Sequence, residues 1–505
     1  MTLRKMKFAS IVASLSVLFL ASSVVSAQTS SPFPPPEEDL GIYVVNSGTG
    51  LDTGCTYRSG GPLMIQLDVP ATMNPSVLNS DGTIKQDKLA QLIQNKVIGS
   101  TAKISFPTYD IDSAASVSGI QPEVDAIYFN GKSYGTLTGQ NNQWLNDSFP
   151  VDISEVKFNT SNEIRIDIDT ANSDGEYWCM SVDWVAIEFE AAAPYVLAHG
   201  ISAQRDTWEA ASSPGVLQAM NESGVLYERF SVEANGSVAA NAQNLKGQVK
   251  NFLDNVKAKK VNIIAHSKGG LDSQAMAKIS GPDFEVLSLS TLSTPHRGSV
   301  VADLQLLQRQ AIDVYVNQAA DPNGYAQQFV SLSLAGLASR LGAGPQPPGL
   351  NDLTTQAAAA AIIAGLRGNV ANTFTVAADA GPQCSRSPTD IEISPMADSA
   401  PFGTQGYTND ALRLAYRAIC SYSSARQLNV TTQVYATGMQ PVVITTLTYE
   451  TVTASSSNPN DIVVGVSSAH PGWGTAITTN SNTNHSEVKN PQNINQLLNK
   501  TIELR

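Results

Sequence analysis

The ten residues Val261-Asn262-Ile263-Ile264-Ala265-His266-Ser267-Lys268-Gly269-Gly270 constrain the fold of this chain more than any other stretch. A short β-branched run that ends in x-Ser-x-Gly-Gly and passes into a helical pattern describes a strand, a tight turn and a helix. Together these hold a serine hydroxyl above a parallel sheet. Such a turn crowds the flanking backbone and strains the serine's own φ/ψ, so its neighbours must be small. Ala265 and Gly269 meet that demand. A tight turn without chemistry has the same local pattern, so the weight falls on what the rest of the chain supplies.

On either side of this segment the texture alternates between strand and helix. Tyr195-Val196-Leu197-Ala198 reads as a strand. Leu245, Val249, Phe252, Leu253 and Val256 line one helical face in the manner of a crossover helix on a parallel sheet, and Val286 to Leu292 is a further strand. This is an α/β domain, placed at 191–505. Ahead of it, residues 28–190 carry short alternating runs divided by Asn, Gly and Asp. Ile164, Ile166 and Ile168 form one such run, as do Val185, Ile187 and Phe189, while Asn130-Gly131 between two more marks a hairpin. These predict an all-β domain, an antiparallel β-sandwich of jelly-roll type, joined at Ala191-Ala192-Ala193-Pro194.

Residues 1–27 carry Arg4, Lys5 and Lys7, an apolar stretch from Phe8 to Leu20, and Val25-Ser26-Ala27, the pattern of a cleaved secretory signal peptide. The expected product is secreted. Its formal charge moves from −13 to −16 on loss of those three cations, which repels phosphate backbones and argues against nucleic acid as a partner. With 42% hydrophobic and 15% charged residues, the chain can bury large cores. In an oxidising compartment the four cysteines pair most simply as Cys55 with Cys179 and Cys384 with Cys420, although three connectivities are formally open.

A serine hydroxyl is a weak nucleophile at neutral pH and needs a base, itself oriented by a carboxylate. The five histidines are His199, His266, His296, His470 and His485. In an α/β hydrolase the order along the chain is serine, acid, histidine, which leaves His470 and His485 as candidate bases. Asp379, at the end of the strand-like Phe374-Thr375-Val376, is one candidate acid. His199 and His266 flank the motifs and read as residues that hold local backbone.

Asn460-Asp461-Ile462-Val463-Val464 and Asn484-His485-Ser486-Glu487-Val488 resemble the acid and base segments of secreted triacylglycerol lipases of the pseudomonad type, an α/β-hydrolase family. Leu197-Ala198-His199-Gly200-Ile201 is similar to the family's oxyanion loop, and Thr294-Pro295-His296-Arg297-Gly298 to a segment that walls its site. The resemblance implies Ser267 as nucleophile, Asp461 as acid and His485 as base. A developing oxyanion needs two fixed N–H donors, which are then the amides of Ile201 and Lys268. The expectation is a secreted serine esterase or lipase acting on lipid or other acyl esters, with no cofactor.

The resemblance covers roughly 193–300 and 458–490, and the chain departs from it in three ways. The family lacks an N-terminal sandwich. Its glycine after the acid is Ile462 here. Its calcium-binding aspartate is Glu487, with Pro491 following, so a structural calcium in this domain is not expected. Two rival functions share the motifs: an acyltransferase or polyester depolymerase using the same triad, and a glycan- or polymer-binding protein whose hydrolase half is inert.

Some features stay open. About 300–370 form a lid or cap insertion in which Val330, Leu334, Leu337 and Leu341 trace one helical face, which suits either an amphipathic lid or an ordinary packed helix. Asp110, Asp112, Asp125, Asp167, Asp169 and Asp183 offer the oxygen ligands that calcium prefers, but are expected to be solvated strand faces. Trp144, Trp178 and Trp184 are expected in core or interdomain positions rather than on a polymer platform.

Overall fold

The computed structural model describes residues 30–46, 51, 56–57, 61–113, 122–170, 179–210, 213–306, 348–380, 426–437, 440–451 and 459–504. The expected signal peptide, the helical face at 330–341, Trp178, Cys55, Cys384 and Cys420 lie outside these residues.

In chain order the first strands are β1 (Ile42–Val45), β2 (Thr56–Tyr57), β3 (Leu63–Val69), β4 (Ile98–Tyr109), β5 (Ala126–Phe129), β6 (Lys132–Thr136), β7 (Trp144–Asp152), β8 (Thr160–Asp167), β9 (Cys179–Val182) and β10 (Val185–Ala191), with helix α1 (Gln86–Gln94) between β3 and β4. They form two antiparallel sheets. One runs β1-β10-β4-β9-β2 with β7 also paired to β4, and the other runs β3-β8-β5-β6. Alternation decides which side chains turn inward: in β3 the odd positions Leu63, Ile65, Leu67 and Val69 are buried while Met64, Gln66 and Asp68 face out. The expected hairpin joins β5 to β6, with Asn130 and Gly131 at φ +49° and +81°, the left-handed pair that a two-residue turn requires.

The second unit is a parallel sheet ordered β12-β11-β13-β14-β15-β18. Its strands are β11 (Tyr195–Ala198), β12 (Tyr227–Phe230), β13 (Lys260–His266), β14 (Glu285–Leu292), β15 (Thr373–Asp379) and β18 (Thr475–Ser481), and β16 (Arg426–Thr437) and β17 (Gln440–Thr451) pair separately as a hairpin. Helices α2 (Val216–Ser223), α3 (Val238–Val256), α4 (Lys268–Ser280), α5 (Val300–Leu306), α6 (Pro348–Asp352), α7 (Thr355–Ile363), α8 (Val466–Ala469) and α9 (Pro491–Thr501) surround it. Leu245, Val249, Leu253 and Val256 of α3 are buried in one cluster with Val261 and Ile263 of β13, as their spacing predicts. β12 lies on the outer side of β11, and α3 carries the chain back to β13. The direction of winding therefore reverses between β11 and β13, and a crevice opens beyond their carboxyl ends at such a switch point.

The two units share apolar contacts. Buried residues of the antiparallel sheets, such as Ile104 and Ile164, belong to the same cluster as Tyr195, Met220 and Ile494. Asn74 anchors the join, donating its amide N–H to the Gly224 carbonyl at 2.9 Å and its side-chain Nδ2 to Asn221 Oδ1 at 3.1 Å. Of the tryptophans, Trp184 is buried, as expected, and donates Nε1–H to the Phe33 carbonyl at 2.7 Å. Trp144 is half-buried against Tyr109, ring centroids 5.2 Å apart. The expectation of solvated acidic faces fails for Asp125 and Asp169, both fully buried. Asp169 has a left-handed φ of +47°. No helix among the described residues is long and apolar enough to cross a membrane.

Candidate active site

Ser267 sits between β13 and α4 with φ +53° and ψ −130°, a conformation that costs an L-residue energy and persists only where its surroundings enforce it. The enforcement is local. The Ser267 amide donates to the Leu292 carbonyl of β14 at 2.9 Å, and its own carbonyl accepts from Gly270 at 3.1 Å. A Cβ on Gly269 would stand 2.3 Å from the His199 carbonyl oxygen, and one on Gly200 would stand 2.8 Å from Ser267 Cβ. Gly269 is there because two backbones must touch, and Gly200 because the Ser267 side chain fills the space a Cβ would need.

His485 follows β18. Its Nδ1 lies 2.8 Å from Asp461 Oδ2, and its amide donates to the Asp461 carbonyl at 3.0 Å. Both residues are buried, and among the described residues His485 Nε2 has no hydrogen-bond partner. A carboxylate at Nδ1 fixes the proton on that nitrogen and leaves Nε2 with a free lone pair. Asp461 is in turn held by two amides, those of Val463 at 3.0 Å and Val464 at 2.7 Å, both donating to Oδ1. Ser299 Oγ donates to the Val463 carbonyl at 2.6 Å and Ser468 Oγ to that of Gly298 at 2.7 Å, so the stretch following Thr294-Pro295-His296-Arg297 braces the acid loop.

Ile462, the residue in place of the glycine, has φ +83° and is buried. A β-branched residue is a strong outlier there. The turn that wraps two amides around Asp461 needs a left-handed residue at this point, and this chain accepts the strain.

Ser267, His485, Gly200, Ile201, Ala203, His266 and Lys489 line one cavity of about 10 Å³, room for roughly one water molecule. His199 governs the wall opposite the serine. Its Nε2 accepts from the Val232 amide at 3.0 Å, so the ring proton is on Nδ1, which donates to the Gly200 carbonyl at 2.8 Å. A trans peptide points its N–H away from its C=O, so holding the Gly200 carbonyl also aims the Ile201 amide. Burial pushes the His199 pKa down, which keeps this tautomer neutral. His266 plays a similar part: its Nε2–H donates to the His485 carbonyl at 2.7 Å, and burial holds its pKa well below the usual histidine value.

The other histidines and the rival acid have partners of their own. His470 is bonded through Nδ1 to Thr375 Oγ1 at 2.7 Å and through Nε2 to Thr479 Oγ1 at 3.1 Å, between β15 and β18. Asp379 ends β15, where its carbonyl accepts from Thr483. His296 is buried, bonds Thr291 Oγ1 at 3.0 Å, and has its pKa lowered to about 3 by burial. Lys268 turns its side chain into the protein, where Nζ meets Asp272 Oδ1 at 2.8 Å and Oδ2 at 3.0 Å. Sequence reasoning passed over Lys489, which is buried, donates Nζ–H to the Thr207 carbonyl at 3.1 Å and helps line the cavity. A lone lysine in a loop carries no signal of burial.

Comparison with known proteins places the likeness in the same region of chemistry. No family model matches the chain. Triacylglycerol lipase 2 of Saccharomyces cerevisiae is 35% identical over 94 residues, 18% of this chain and 29% of that protein. A Vibrio cholerae triacylglycerol lipase is 33% identical over 111 residues, 22% of this chain and 35% of its own. The chain thus spans about a third of the length of the curated relatives it matches. The mature form of a Bacillus licheniformis lipase superposes on 60% of this chain and 88% of its own at 16% identity, with a TM-score of 0.37, too loose a fit to carry inference. What the comparisons establish is similarity to triacylglycerol lipases over about a fifth of the chain.

Proposed function

We propose that the protein is a serine carboxylic-ester hydrolase, an esterase or lipase of the α/β-hydrolase type, acting through Ser267, His485 and Asp461. One observation carries the reading. A strained serine and a histidine whose Nε2 is bare among the described residues line one cavity, and the far side of that histidine is bonded to a buried carboxylate. In the first step Ser267 Oγ attacks the ester carbonyl carbon while His485 Nε2 takes its proton. The carbonyl electron pair moves to the oxygen, which the Ile201 and Lys268 amides bind. Each such donor is worth about 3 kcal/mol of barrier. The C–O bond to the alcohol then breaks, His485 returns the proton to the leaving oxygen, and an acyl-serine remains. Water repeats the sequence and releases the acid.

Asp461 stabilises the imidazolium and holds the tautomer without taking the proton itself. The substrates we assign are acyl esters, including lipids, and the site calls on no cofactor. We also read residues 1–27 as a signal peptide removed on secretion, 28–190 as a β-sandwich and 191–505 as the hydrolase.

The test is labelling by a fluorophosphonate probe together with turnover of p-nitrophenyl esters. Wild type should do both and Ser267→Ala neither. Normal turnover by that variant refutes the assignment, and failure of the wild-type protein to label points to an inert hydrolase half.

A further inference from the structure

The Ile201 and Lys268 amides assigned to the oxyanion come from separate parts of the chain, so their mutual position depends on what joins those parts. The backbone around Ile201 is gripped on both sides by one loop, residues 231–236, between β12 and α3. On one side the Val232 amide donates to His199 Nε2 at 3.0 Å, and His199 Nδ1–H holds the Gly200 carbonyl at 2.8 Å. On the other the Ser202 amide donates to the Ala234 carbonyl at 2.9 Å, and Ser202 Oγ to Asn235 Oδ1 at 2.9 Å. Ser202 takes φ +53°, a left-handed turn that these bonds maintain. The Ile201 amide therefore points where residues 231–236 place it.

That loop is fastened in turn to the helix that begins after the nucleophile. Asn241 of α3 is 2% exposed, and its Nδ2 donates to two acceptors: the Glu233 carbonyl at 3.0 Å and Asp272 Oδ2 at 3.1 Å. A Cβ on Gly236 would stand 2.6 Å from Asn241 Oδ1, so the loop backbone lies directly against this side chain. Asp272 grips the residue next to the serine, with Oδ1 and Oδ2 at 2.8 and 3.0 Å from Lys268 Nζ and both side chains buried. A continuous run of polar contacts thus leads from Lys268 through Asp272 and Asn241 to the loop that aims Ile201. A buried ion pair adds little net stability over apolar side chains packed in its place, whereas it fixes distance and direction closely. Fixed donors are what a developing oxyanion requires, and a drift of about 1 Å can cost a hundredfold in rate.

We propose that Asn241 and Asp272 are positioning residues, a buried bracket that holds the Ile201 and Lys268 amides on one oxyanion. The proposal rests on the serine-hydrolase reading. Both residues act through the backbone and side chain they hold, and binding of the unreacted ester makes no use of them. Their loss lowers kcat and leaves KM in place.

The experiment measures Tm, steady-state kinetics on a p-nitrophenyl ester and inhibition by a trifluoromethyl ketone, whose serine adduct carries an oxyanion, all on the full-length protein. Asp272→Asn removes the charge and keeps the shape; Asn241→Ala removes the link to the loop. Each should lower kcat about 10- to 100-fold with KM within about twofold, and weaken the ketone by a similar factor. Leu245→Ala, about one turn along α3 and buried in the core, is the control for lost stability: Tm should fall at least as far, with kcat within about twofold of wild type. If Asn241→Ala does not fold, Asp272→Asn alone decides. A folded variant with wild-type kcat overturns the proposal, and so does an equal loss of kcat in Leu245→Ala, since stability would then be the cause. A wild-type protein that neither turns over esters nor reacts with a fluorophosphonate defeats the serine-hydrolase reading itself, and the bracket with it.

Discussion

Changing Asp461 to Asn should disable the proposed enzyme without unfolding it, and the structure says why. Asp461 Oδ1 accepts from both the Val463 and Val464 amides, so the oxygen of an asparagine is drawn to that end. Its NH2 group then faces His485 Nδ1, in the place now taken by Oδ2 at 2.8 Å. A donor there forces the ring proton onto Nε2, and the nitrogen that should accept from Ser267 no longer can. Even after the ring turns productive, the imidazolium formed in the transition state lacks its counter-charge. Two unit charges about 4 Å apart at an effective dielectric near 20 attract by about 4 kcal/mol. That corresponds to roughly a thousandfold in rate, and the wrong tautomer adds up to another factor of about ten. We therefore expect kcat/KM for a p-nitrophenyl ester to fall about 10³- to 10⁴-fold, with Tm moved by only a few degrees. Asp379→Asn, the control at the rival acid, should stay within about threefold of wild type. A folded Asp461→Asn variant retaining a tenth of the activity would refute the reasoning.

Gly200→Ala places a Cβ 2.8 Å from Ser267 Cβ and 3.3 Å from its Oγ, so activity should drop by about two orders of magnitude while circular dichroism stays native. His199→Ala frees the Gly200 carbonyl and leaves the Val232 amide without its acceptor; kcat should fall about 10- to 100-fold with KM little changed, and Tm should drop, the lost bonds being worth about 1–3 kcal/mol. Equal loss in KM would count against a role in aiming the Ile201 amide. Asp303 is buried under the Thr355 amide and hydroxyl, and burial pushes its carboxyl up to about 7 from 3.8. The folded state therefore keeps a proton that the unfolded chain has released, and the stability this confers is full below pH 4 and lost as pH rises through 7. Asp303→Asn mimics the protonated form, so the Tm difference between variant and wild type should grow in the variant's favour between pH 5 and pH 8; melting curves at those two values check it.

Elements with strong local patterning could be read before any coordinates. The alternation in β3, β8 and β10, the left-handed pair Asn130-Gly131 and the face of α3 each depend on neighbours within a few residues. The strand, turn and helix around Ser267 were legible for the same reason. Sequence order alone left two histidines in contention and did not single out the acid. Resemblance pointed to Asp461 and His485, and the hydrogen bond between them follows that pairing.

What the amino-acid sequence determined by itself is the set of chemical groups and the short-range geometry: a serine in a strained turn, glycines where backbones must meet, and periodicities of two and of about 3.6 that assign strands and helices. Only tertiary structure decided which distant groups lie together. Lys489 reaches the cavity because the loop ahead of α9 docks against Thr207, and Glu123 and Asp125 are buried because Asp112 and Asp169, from separate stretches, close over them with their amides. Burial is a property of what arrives from elsewhere in the chain, and no local pattern records it.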